Sequence, residues 1–437
     1  MAGAHTTERR SHRRAVDAAE QARARRRTII ALAAVLVPIY VAVAVAMIVL
    51  WPSSSSGNVN LSAAGYAPGT AFLGATVTKV TPFSCESTGS APDASGKIVP
   101  VTCAHVTTRL SDGAQATVDV EPATFRSGIH VGDRVQLARF AAAPGQPTAY
   151  IFVDFQRSVP MLWLAVAFAV VVIAVARWRG AAALVGLAIS FAVLIKFMIP
   201  ALLDGENPLL VGLVGSAAIV LIVLYLAHGV SIRTTTALIG TLFGLLASAG
   251  LGWWAVGATH LSGVATEDDL TIAAIAGHVR LSGLVLCGVV VASLGILNDV
   301  TVTQASAVWE LRDLHPKTSE RRLFSGAMRI GRDHIASTVY TVAFAYAGAA
   351  LPVLLLIDVS QQRLSSIVTR EALAEEIIRT LAGSIGLVLA VPLTTLAAVA
   401  LVRATAAEPP ATQRQRPETM IAKEAPDRAG GGGRVAL

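Results

Sequence analysis

The sequence predicts an all-α transmembrane bundle of about eight helices, with a small extracytoplasmic all-β domain, barrel-like, between helices 1 and 2. Three observations predict this fold class. Of the 437 residues, 54% are hydrophobic and only 14% are charged, whereas a soluble domain carries about 25% charged residues. Apolar runs long enough to cross a bilayer recur along the chain. The one long polar region, residues 52–158, has the alternation of β-strands instead.

The first apolar run, residues 29–51, follows a basic N-terminus, residues 1–28, which is rich in arginine (Arg9, Arg10, Arg13, Arg14, Arg23, Arg25, Arg26 and Arg27). Clustered arginines can bind nucleic acid. Because an apolar run begins directly after these arginines, the positive-inside rule explains them better. The apolar run is longer than the core of a signal peptide, and no small-residue cleavage site stands out near its end. We interpret it as a retained transmembrane helix, and we expect no nucleic-acid partner.

The polar region has the sequence pattern of a small barrel or sandwich. Apolar and polar side chains alternate along residues 116–121 and again along residues 134–137. Turns that contain glycine interrupt the runs at residues 111–113 and 131–133. We therefore expect residues 52–158 to form a β-domain.

Two of the three cysteines, Cys85 and Cys103, lie in this β-domain. Their spacing suits a disulfide that staples one hairpin, provided that the region faces an oxidising compartment. His105 follows Cys103 by two positions, and a Cys-x-His pair alone has too few ligands for a metal site. We expect a Cys85–Cys103 disulfide and no bound metal.

Seven further apolar runs make up a transmembrane domain at residues 159–403: residues 161–176, 181–203, 208–227, 234–257, 281–297, 335–357 and 377–402. Eight crossings place both termini on one side of the membrane. The loops predicted to lie on that side hold most of the basic residues (Arg177, Arg179, Arg233, Arg312, Lys317, Arg321, Arg322, Arg329, Arg332 and Arg403). The positive-inside rule therefore predicts cytoplasmic termini and an external β-domain. Residues 404–437, rich in Pro, Arg, Glu and Gly, have the composition of a disordered cytoplasmic tail.

The run at residues 281–297 ends in a polar stretch (Asn298, Asp299, Thr301, Thr303, Gln304 and Ser306). Four of these residues, Asn298, Asp299, Thr303 and Ser306, are candidate transport-pathway residues. An ionised side chain at mid-bilayer costs at least about 2.5–3.5 kcal/mol. We therefore interpret this stretch as the inner wall of the bundle. On a helix, Asp299, Thr303 and Ser306 share one face. The alternative is that Asp299 caps a helix end or pairs with Arg332.

Three further charged residues are candidates for the same pathway: Lys196, Arg332 and Asp333. Lys196 lies near the end of its apolar run, where its long stem could reach the headgroups; alternatively it could be a counter-ion to Asp204 or Glu206. Arg332 and Asp333 stand just before an apolar run. They could lock a basic linker against the bundle, or Arg332 could be an ordinary positive-inside anchor.

Several connected stretches of the chain resemble a known family. They are YIFVDFQR, the HG after the fourth apolar run, TTTALIGTLFGLL, LSGLVLCGVVVASLGILNDVTVTQASAVWEL, LFSGAMRIGRDHIASTVYTVAFAYAG and EEIIRTLAGSIGLVLAVPLT. In order and spacing they resemble the YibE/F family of bacterial polytopic membrane proteins over most of residues 150–402. The resemblance implies the fold and a location in the bacterial plasma membrane, and it does not imply a specific activity.

Two function classes follow from these observations. The first is transport, or assistance to export, of an unidentified small solute or ion, driven by protons. Proton-driven permeases have a similar layout, with an acidic residue such as Asp299, a basic linker such as residues 312–332, and a threonine-bearing helix such as that of Thr338 and Thr341. The second class is a membrane-anchored sensor or scaffold that uses the β-domain. Polar side chains converging on one cavity would favour transport, and a dry apolar interior would favour a scaffold.

The sequence contains no HExxH, GxSxG or GxxxxGK[ST] motif. We therefore expect no enzymatic activity and no cofactor. The expected partners are the lipid bilayer and the solute. Assembly into a homo-oligomer is left open.

Overall fold

The computed structural model describes residues 30–52, 70–85, 101–140, 148–359 and 369–405, together with Arg26. The rest of the basic N-terminus and the tail from residue 406 lie outside this set. The strands are β1 (Ala71–Cys85), β2 (Val101–Leu110), β3 (Gln115–Val120), β4 (Arg134–Arg139) and β5 (Tyr150–Phe155). The helices are α1 (Ile30–Val49), α2 (Pro122–Arg126), α3 (Ser158–Val193), α4 (Ile199–Leu203), α5 (Pro208–His228), α6 (Ile232–Ala258), α7 (Glu267–Ile275), α8 (Leu281–Leu314), α9 (Glu320–Ala349), α10 (Leu351–Val359) and α11 (Glu371–Thr405).

Six helical segments of the described chain are long and apolar enough to cross a membrane. They are Ile30–Val49, Ser158–Leu203, Pro208–His228, Ile232–Ala258, Leu281–Leu314 and Glu371–Val402. The prediction of a multi-pass helical membrane protein with a β-domain after its first helix is confirmed. The number of helices differs from eight for two separate reasons.

The first reason is a reversal inside the segment Ser158–Leu203, which holds two of the predicted crossings. Arg177 has φ 55° and ψ −132°, outside the helical region. A Cβ added at Gly180 would lie 2.5 Å from the carbonyl oxygen of Val172, although a straight helix would separate these residues by about 12 Å along its axis. The chain therefore folds back at Arg177, and the predicted runs 161–176 and 181–203 form its two arms.

The second reason concerns the predicted crossing at residues 335–357, which the structure divides between α9 and α10. The two helices meet at Ala350. The basic stretch that precedes this crossing is not a separate linker, because α9 already begins at Glu320. Likewise α8 continues to Leu314, although the apolar run ends at residue 297. Hydropathy marks where the apolar side chains stop, whereas the backbone stays helical through the polar stretch because its buried face continues.

The β-domain is one antiparallel sheet with the strand order β3-β2-β1-β4-β5. The long strand β1 pairs with both β2 and β4, and the edge strands β3 and β5 approach each other, so the sheet curls into a half-barrel. The predicted alternation holds in β3, where every second residue is buried. The apolar side chains on the concave face form their own core (Val77, Val106, Val118, Val120, Val135 and Leu137).

A disulfide joins Cys85 at the end of β1 to Cys103 in β2, with a Cα–Cα distance of 5.8 Å. The pair closes a loop with a sequence separation of 18, which in the chain-entropy description stabilises a fold by about 3 kcal/mol.

Replacing both cysteines by serine is expected to lower the free energy of unfolding of the β-domain by that amount. Amide hydrogen exchange of β1 and β2 in the full chain measures it. Cys287→Ser, in the bundle, is the control, and equal protection in both variants would contradict the expectation.

An ion pair marks the junction between the β-domain and α3. Arg157 donates to Asp154 over 2.6 Å, and its guanidinium lies 5.7 Å from the centre of the Phe155 ring. The hydrogen bond from Arg157 holds the pKa of the Asp154 carboxyl below its usual value, and the bond from the Phe155 amide adds to this effect. The stabilising contribution of this pair is therefore present at neutral pH and is lost as the pH falls through the lowered pKa of Asp154.

Three helices, α6, α8 and α11, pack against one another at the centre of the bundle, and α5 and α9 pack around them. Glycines allow this close packing. A Cβ added at Gly240 would lie 1.9 Å from Thr394 Oγ1, and one added at Gly244 would lie 2.3 Å from Leu297 Cδ2. Small residues at helix contacts are typical of membrane bundles, because close van der Waals packing replaces the hydrophobic effect there.

Candidate functional site

Hydroxyl and amide side chains form a buried polar row between the three central helices: Thr241 and Ser248 of α6, Ser293, Thr301 and Gln304 of α8, and Thr394 and Thr395 of α11. A backbone or side-chain polar group in a bilayer needs a partner within the protein. Thr241 and Thr301 meet at 2.6 Å between their hydroxyl oxygens, which links α6 to α8 across the core.

Gln304 connects the row to two further helices. Its amide nitrogen donates to the Ala327 carbonyl of α9 over 3.0 Å and to Thr395 Oγ1 of α11 over 2.7 Å. The side chain is only 3% exposed. This amide therefore holds the basic half of α9 against the bundle.

Most of the row's hydroxyls donate to the carbonyl four residues earlier in their own helix, as Thr241, Thr394 and Ser293 do. Their hydrogen-bonding capacity is used without any ligand. Ser248 Oγ is the exception in the row, since it is buried and has no partner. In this conformation the polar row is closed.

A cavity of ≈ 1100 Å³ opens where α6 begins, between α1, the reversal of α3, α5, α6 and α8. We call it the α6 cavity. Its polar lining includes Arg179, Tyr225, His228, Arg233 and Ser306, and its apolar lining includes Leu32, Leu36 and Val37 of α1.

Hydrogen bonds fix part of this lining. The guanidinium of Arg233 donates through Nε to Ser306 Oγ over 3.0 Å and approaches Glu310 Oε1 at 3.5 Å. The hydroxyls of Tyr225 and Thr235 lie 2.9 Å apart. The side chains that face the α6 cavity are thus held from at least three helices.

The α6 cavity ends close to the polar row. Ala237 and Val302 line the cavity. Thr241 lies one turn beyond Ala237 on α6, about 5 Å along the helix axis, and Thr301 is the chain neighbour of Val302. The Thr241–Thr301 pair therefore lies close to the inner end of the cavity, whereas Gln304, between Val302 and Ser306 in the chain, faces α9 and α11.

The predicted pathway residues do not form one site. Ser306 lines the α6 cavity, whereas the side chain of Asp299 is 77% exposed and Thr303 is exposed and donates to the Asp299 carbonyl. Asn298 is half-buried, and its Oδ1 has no partner. The expectation that Asp299 lies on the inner wall is therefore wrong. The buried face of α8 carries Leu297, Thr301 and Gln304, on the opposite side of the helix from Asp299.

The neighbour of Asp299 is also not Arg332, the partner considered as an alternative. His334 of α9 approaches it, with Nε2 3.8 Å from Asp299 Oδ2. Arg332 and Asp333 are both exposed on the outer side of α9. This exposure is consistent with the alternative in which Arg332 is a positive-inside anchor. It is not consistent with a position of Arg332 inside the bundle.

Lys196 is exposed and lies in a π-helical turn, Leu194–Met198. Its neighbours Phe197 and Met198 are buried against the bundle, and Met198 packs where a Cβ on Gly215 of α5 would otherwise stand. The extra residue of the turn directs Lys196 away from the core. Its position is consistent with a stem that extends toward the headgroups.

The charges at the start of α11 pair locally, as their spacing predicts. Arg379 donates to Glu376, three residues earlier. Glu371 accepts from the backbone amides of Ser262 and Gly263, at 2.6 Å each. This carboxylate ties the connection before α7 to the first turn of α11.

Sequence reasoning missed the basic residues of the α6 cavity, Arg179, His228 and Arg233. It assigned Arg179 and Arg233 to positive-inside anchoring and used His228 only as part of the HG after the fourth apolar run. The available signal was that loops far apart in the chain carry basic residues at the same predicted membrane boundary. Only the packing of α3 beside α5, and of α5 beside α6, brings these loops together.

In the described part of the chain, no group of three or more His, Cys, Asp and Glu residues is arranged to hold a metal ion. His105, considered as a metal ligand, has other partners. Its Nδ1 lies 2.5 Å from Asp119 Oδ1, and its ring stacks on Phe83 with centroids 4.0 Å apart. These contacts belong to the surface of the β-domain.

Comparison with known proteins supports the family resemblance. Neither the curated proteins nor the solved structures contain a match for this chain. The family model described as YibE/F-like protein matches residues 164–404, more than half of the chain and all of the bundle from α3 to α11 except their outermost residues. The α6 cavity, apart from the α1 side chains, and the polar row both lie within these residues. The chain therefore belongs to the YibE/F-like protein family.

Proposed function

We propose that this protein is a transporter or export-assisting permease, without enzymatic activity, which moves a small solute through the bundle by way of the α6 cavity. The observation that carries the proposal is the position of this cavity. It is large enough for a small molecule, since such sites measure about 300–1,000 Å³, and it ends one helical turn from the buried polar row. Polar side chains from several helices thus lie in sequence along one possible route.

In this proposal the polar row is the closed part of the route. Hydroxyls that bond their own helix carbonyls can exchange those bonds for water or solute without leaving a group unsatisfied. Ser248 Oγ, which has no partner, can form a hydrogen bond to water or to the solute. Opening requires only that α6, α8 and α11 separate slightly, which breaks the Thr241–Thr301 contact.

We assign proton coupling to the Asp299–His334 pair. The depth of Asp299 follows from its neighbour Thr301, two residues along α8. Thr301 contacts Thr241, which lies nine residues into α6 and therefore about 13 Å from the start of that helix. An ionised carboxylate on the outer face of α8 at this depth is costly. The approach of His334 Nε2 to within 3.8 Å of Asp299 Oδ2 is the contact that supports this assignment.

The proposed orientation follows the distribution of basic residues. The termini and the α6 cavity face the cytoplasm, and the half-barrel faces the outside, where its disulfide forms. The bilayer and the transported solute are the partners of this proposal.

The second candidate is a membrane-anchored sensor or scaffold. The observation that favours it is that every residue of the polar row is buried between α6, α8 and α11, with an exposure of at most 3%. In that case the α6 cavity would be a dead end, and the half-barrel would carry the function.

Cysteine accessibility separates the two candidates without knowledge of the solute. In a Cys287→Ser background, Ser306→Cys reports on the α6 cavity and Thr241→Cys on the polar row, with a charged, membrane-impermeant thiosulfonate as the probe. Minor conformations are populated at about 0.1–10%, so Thr241→Cys should react at about 0.1–10% of the rate of Ser306→Cys. Val290→Cys, in the apolar core with an exposure of 0%, is the control and should stay unmodified.

A dead-end cavity gives a different result, since Ser306→Cys then reacts while Thr241→Cys is as inert as the control. That outcome would remove the transport proposal in favour of the scaffold. Applying the probe to sealed vesicles of each orientation also tests the cytoplasmic position of the α6 cavity.

A further inference from the structure

The α6 cavity carries an excess of positive charge. Arg179 comes from the reversal of α3, His228 from the end of α5 and Arg233 from the start of α6. None of the described residues that line the cavity is Asp or Glu. The two guanidiniums, delivered by separate helices, repel one another in a partly desolvated space, and an anion within it would relieve that repulsion. His228 adds an imidazole that can hydrogen-bond the same anion.

Arg233 keeps hydrogen-bonding capacity for such an anion. Its guanidinium has five N–H donors, and its contacts are one bond to Ser306 and one long contact of 3.5 Å to Glu310. The Glu310 side chain is 67% exposed, and an ion pair of this length in solvent contributes little. A phosphate or carboxylate inside the cavity would be a stronger partner, because a guanidinium binds both in bidentate fashion.

The opposite wall of the cavity is apolar. It consists of Leu32, Leu36 and Val37 on α1, and Ile222 on α5 contributes as well. A fully polar anion would leave this apolar wall in contact with water, whereas the apolar part of an amphiphile would cover it. The rings of Tyr40 on α1 and Tyr225 on α5, with centroids 6.4 Å apart, also line the cavity.

The helix α1 that supplies this wall is held by a narrow face. Among the residues of α1, only Leu36 is buried, and Leu50 is buried just beyond its end. Displacing α1 therefore breaks few contacts. The cavity has an apolar side next to the bilayer and a basic side next to the membrane boundary.

We propose that the α6 cavity binds an amphiphilic anion, with its phosphate or carboxylate group against Arg179 and Arg233 and its apolar body along α1. This inference rests on the proposed function and names the substrate class for the same site. The anion could be a membrane lipid that enters beside α1 or a soluble amphiphile that enters from the aqueous face, since both present the same chemistry to the cavity.

The test uses the full chain in nanodiscs of zwitterionic phosphatidylcholine. Three probes carry a photoreactive group in the alkyl chain: phosphatidylglycerol, octyl phosphate and, as the neutral headgroup, octyl glucoside. Labelled peptides are mapped by mass spectrometry, and the concentration dependence of labelling gives an apparent Kd. The expected result is saturable labelling of α1 around Leu36 by an anionic probe, and none above background by octyl glucoside.

Variants assign the charge contribution. Arg233→Gln and Arg179→Gln should each raise the apparent Kd of the anionic probe about tenfold or more, since a hydrogen bond to a charged group is lost. Arg321→Gln, exposed at the start of α9, is the matched control and should leave Kd unchanged. Arg233→Lys keeps the charge but loses the bidentate geometry, so its apparent Kd should lie between those of the unchanged protein and Arg233→Gln. A far-UV circular dichroism spectrum equal to that of the unchanged protein excludes misfolding as the cause of a loss.

The outcomes are distinct. Labelling by phosphatidylglycerol identifies a lipid source, labelling by octyl phosphate identifies a soluble one, and either supports the proposal. Equal labelling by octyl glucoside, or a Kd that is insensitive to both arginine replacements, overturns it. If Thr241→Cys reacts with the thiosulfonate while no anionic probe binds, the transport proposal stands and only the substrate class fails.

Discussion

Replacing Gly386 by alanine is expected to lower the free energy of unfolding of the bundle by about 3 kcal/mol, because the added methyl group overpacks the core. A Cβ at this position would lie 2.0 Å from Ser248 Oγ and 2.9 Å from the carbonyl oxygen of Gly244. The serine hydroxyl can rotate away, but the backbone carbonyl of α6 can move only if the two helices separate. Unfolding in dodecyl sulfate, followed by far-UV circular dichroism, measures the change.

Gly250 of α6 provides the matched control. A Cβ added there meets no atom within 4 Å, so Gly250→Ala should keep the packing and stabilise the helix by about 0.5–1 kcal/mol. The opposite signs of the two alanine variants are the specific expectation. Equal effects would mean that α6 and α11 do not pack as closely as described, and the closed state of the polar row would then lose its basis.

Replacing Asp299 by asparagine is expected to reduce coupled proton uptake about 100-fold or more, since a group that transfers protons contributes at least that factor in catalysed proton transfer. The variant keeps the shape of the side chain and removes its titration. The measurement is proton flux into proteoliposomes, reported by a pH-sensitive dye. A low-molecular-weight cell extract is present on one side of the membrane as the source of the solute. His334→Gln should have the same effect, because it removes the other half of the pair at 3.8 Å.

Asp313→Asn is the control for this experiment. Asp313 is on the same helix and is also exposed, but it lies near the end of α8, outside the apolar run. Its replacement should leave proton flux unchanged. Unchanged flux in Asp299→Asn would remove Asp299 from the mechanism, while the α6 cavity and its accessibility test would stay valid, since they do not depend on this carboxylate.

The polar stretch after residue 297 illustrates what the sequence could and could not predict. A run of polar residues within reach of the bilayer had to be sheltered by protein, and Thr301 and Gln304 are indeed buried. The choice of Asp299 as the sheltered residue failed because the cost of a buried charge does not say which side of a helix faces the core. At 3.6 residues per turn, Asp299 and Thr301 point in nearly opposite directions, and only the neighbours α6 and α11 decide between them.

The helix count shows a second limit. Hydropathy locates apolar runs, and the reversal at Arg177 and the division at Ala350 both lie where the runs end or weaken. The extension of α8 and α9 through polar residues is invisible to hydropathy. It depends on contacts such as that of Gln304 with the Ala327 carbonyl, which exist only in the packed bundle.

By itself, the sequence determined the membrane class, a β-domain after the first helix and the disulfide, because each depends on local composition, on alternation or on spacing along the chain. The family followed from the resemblance of connected sequence stretches. The tertiary structure alone decided which polar residues face one another and that Arg179, His228 and Arg233 surround a single cavity. These residues lie in separate parts of the chain, and their proximity follows from the packing of α3, α5 and α6. Helix packing is fixed by the shapes of many side chains at once, and no local pattern contains it.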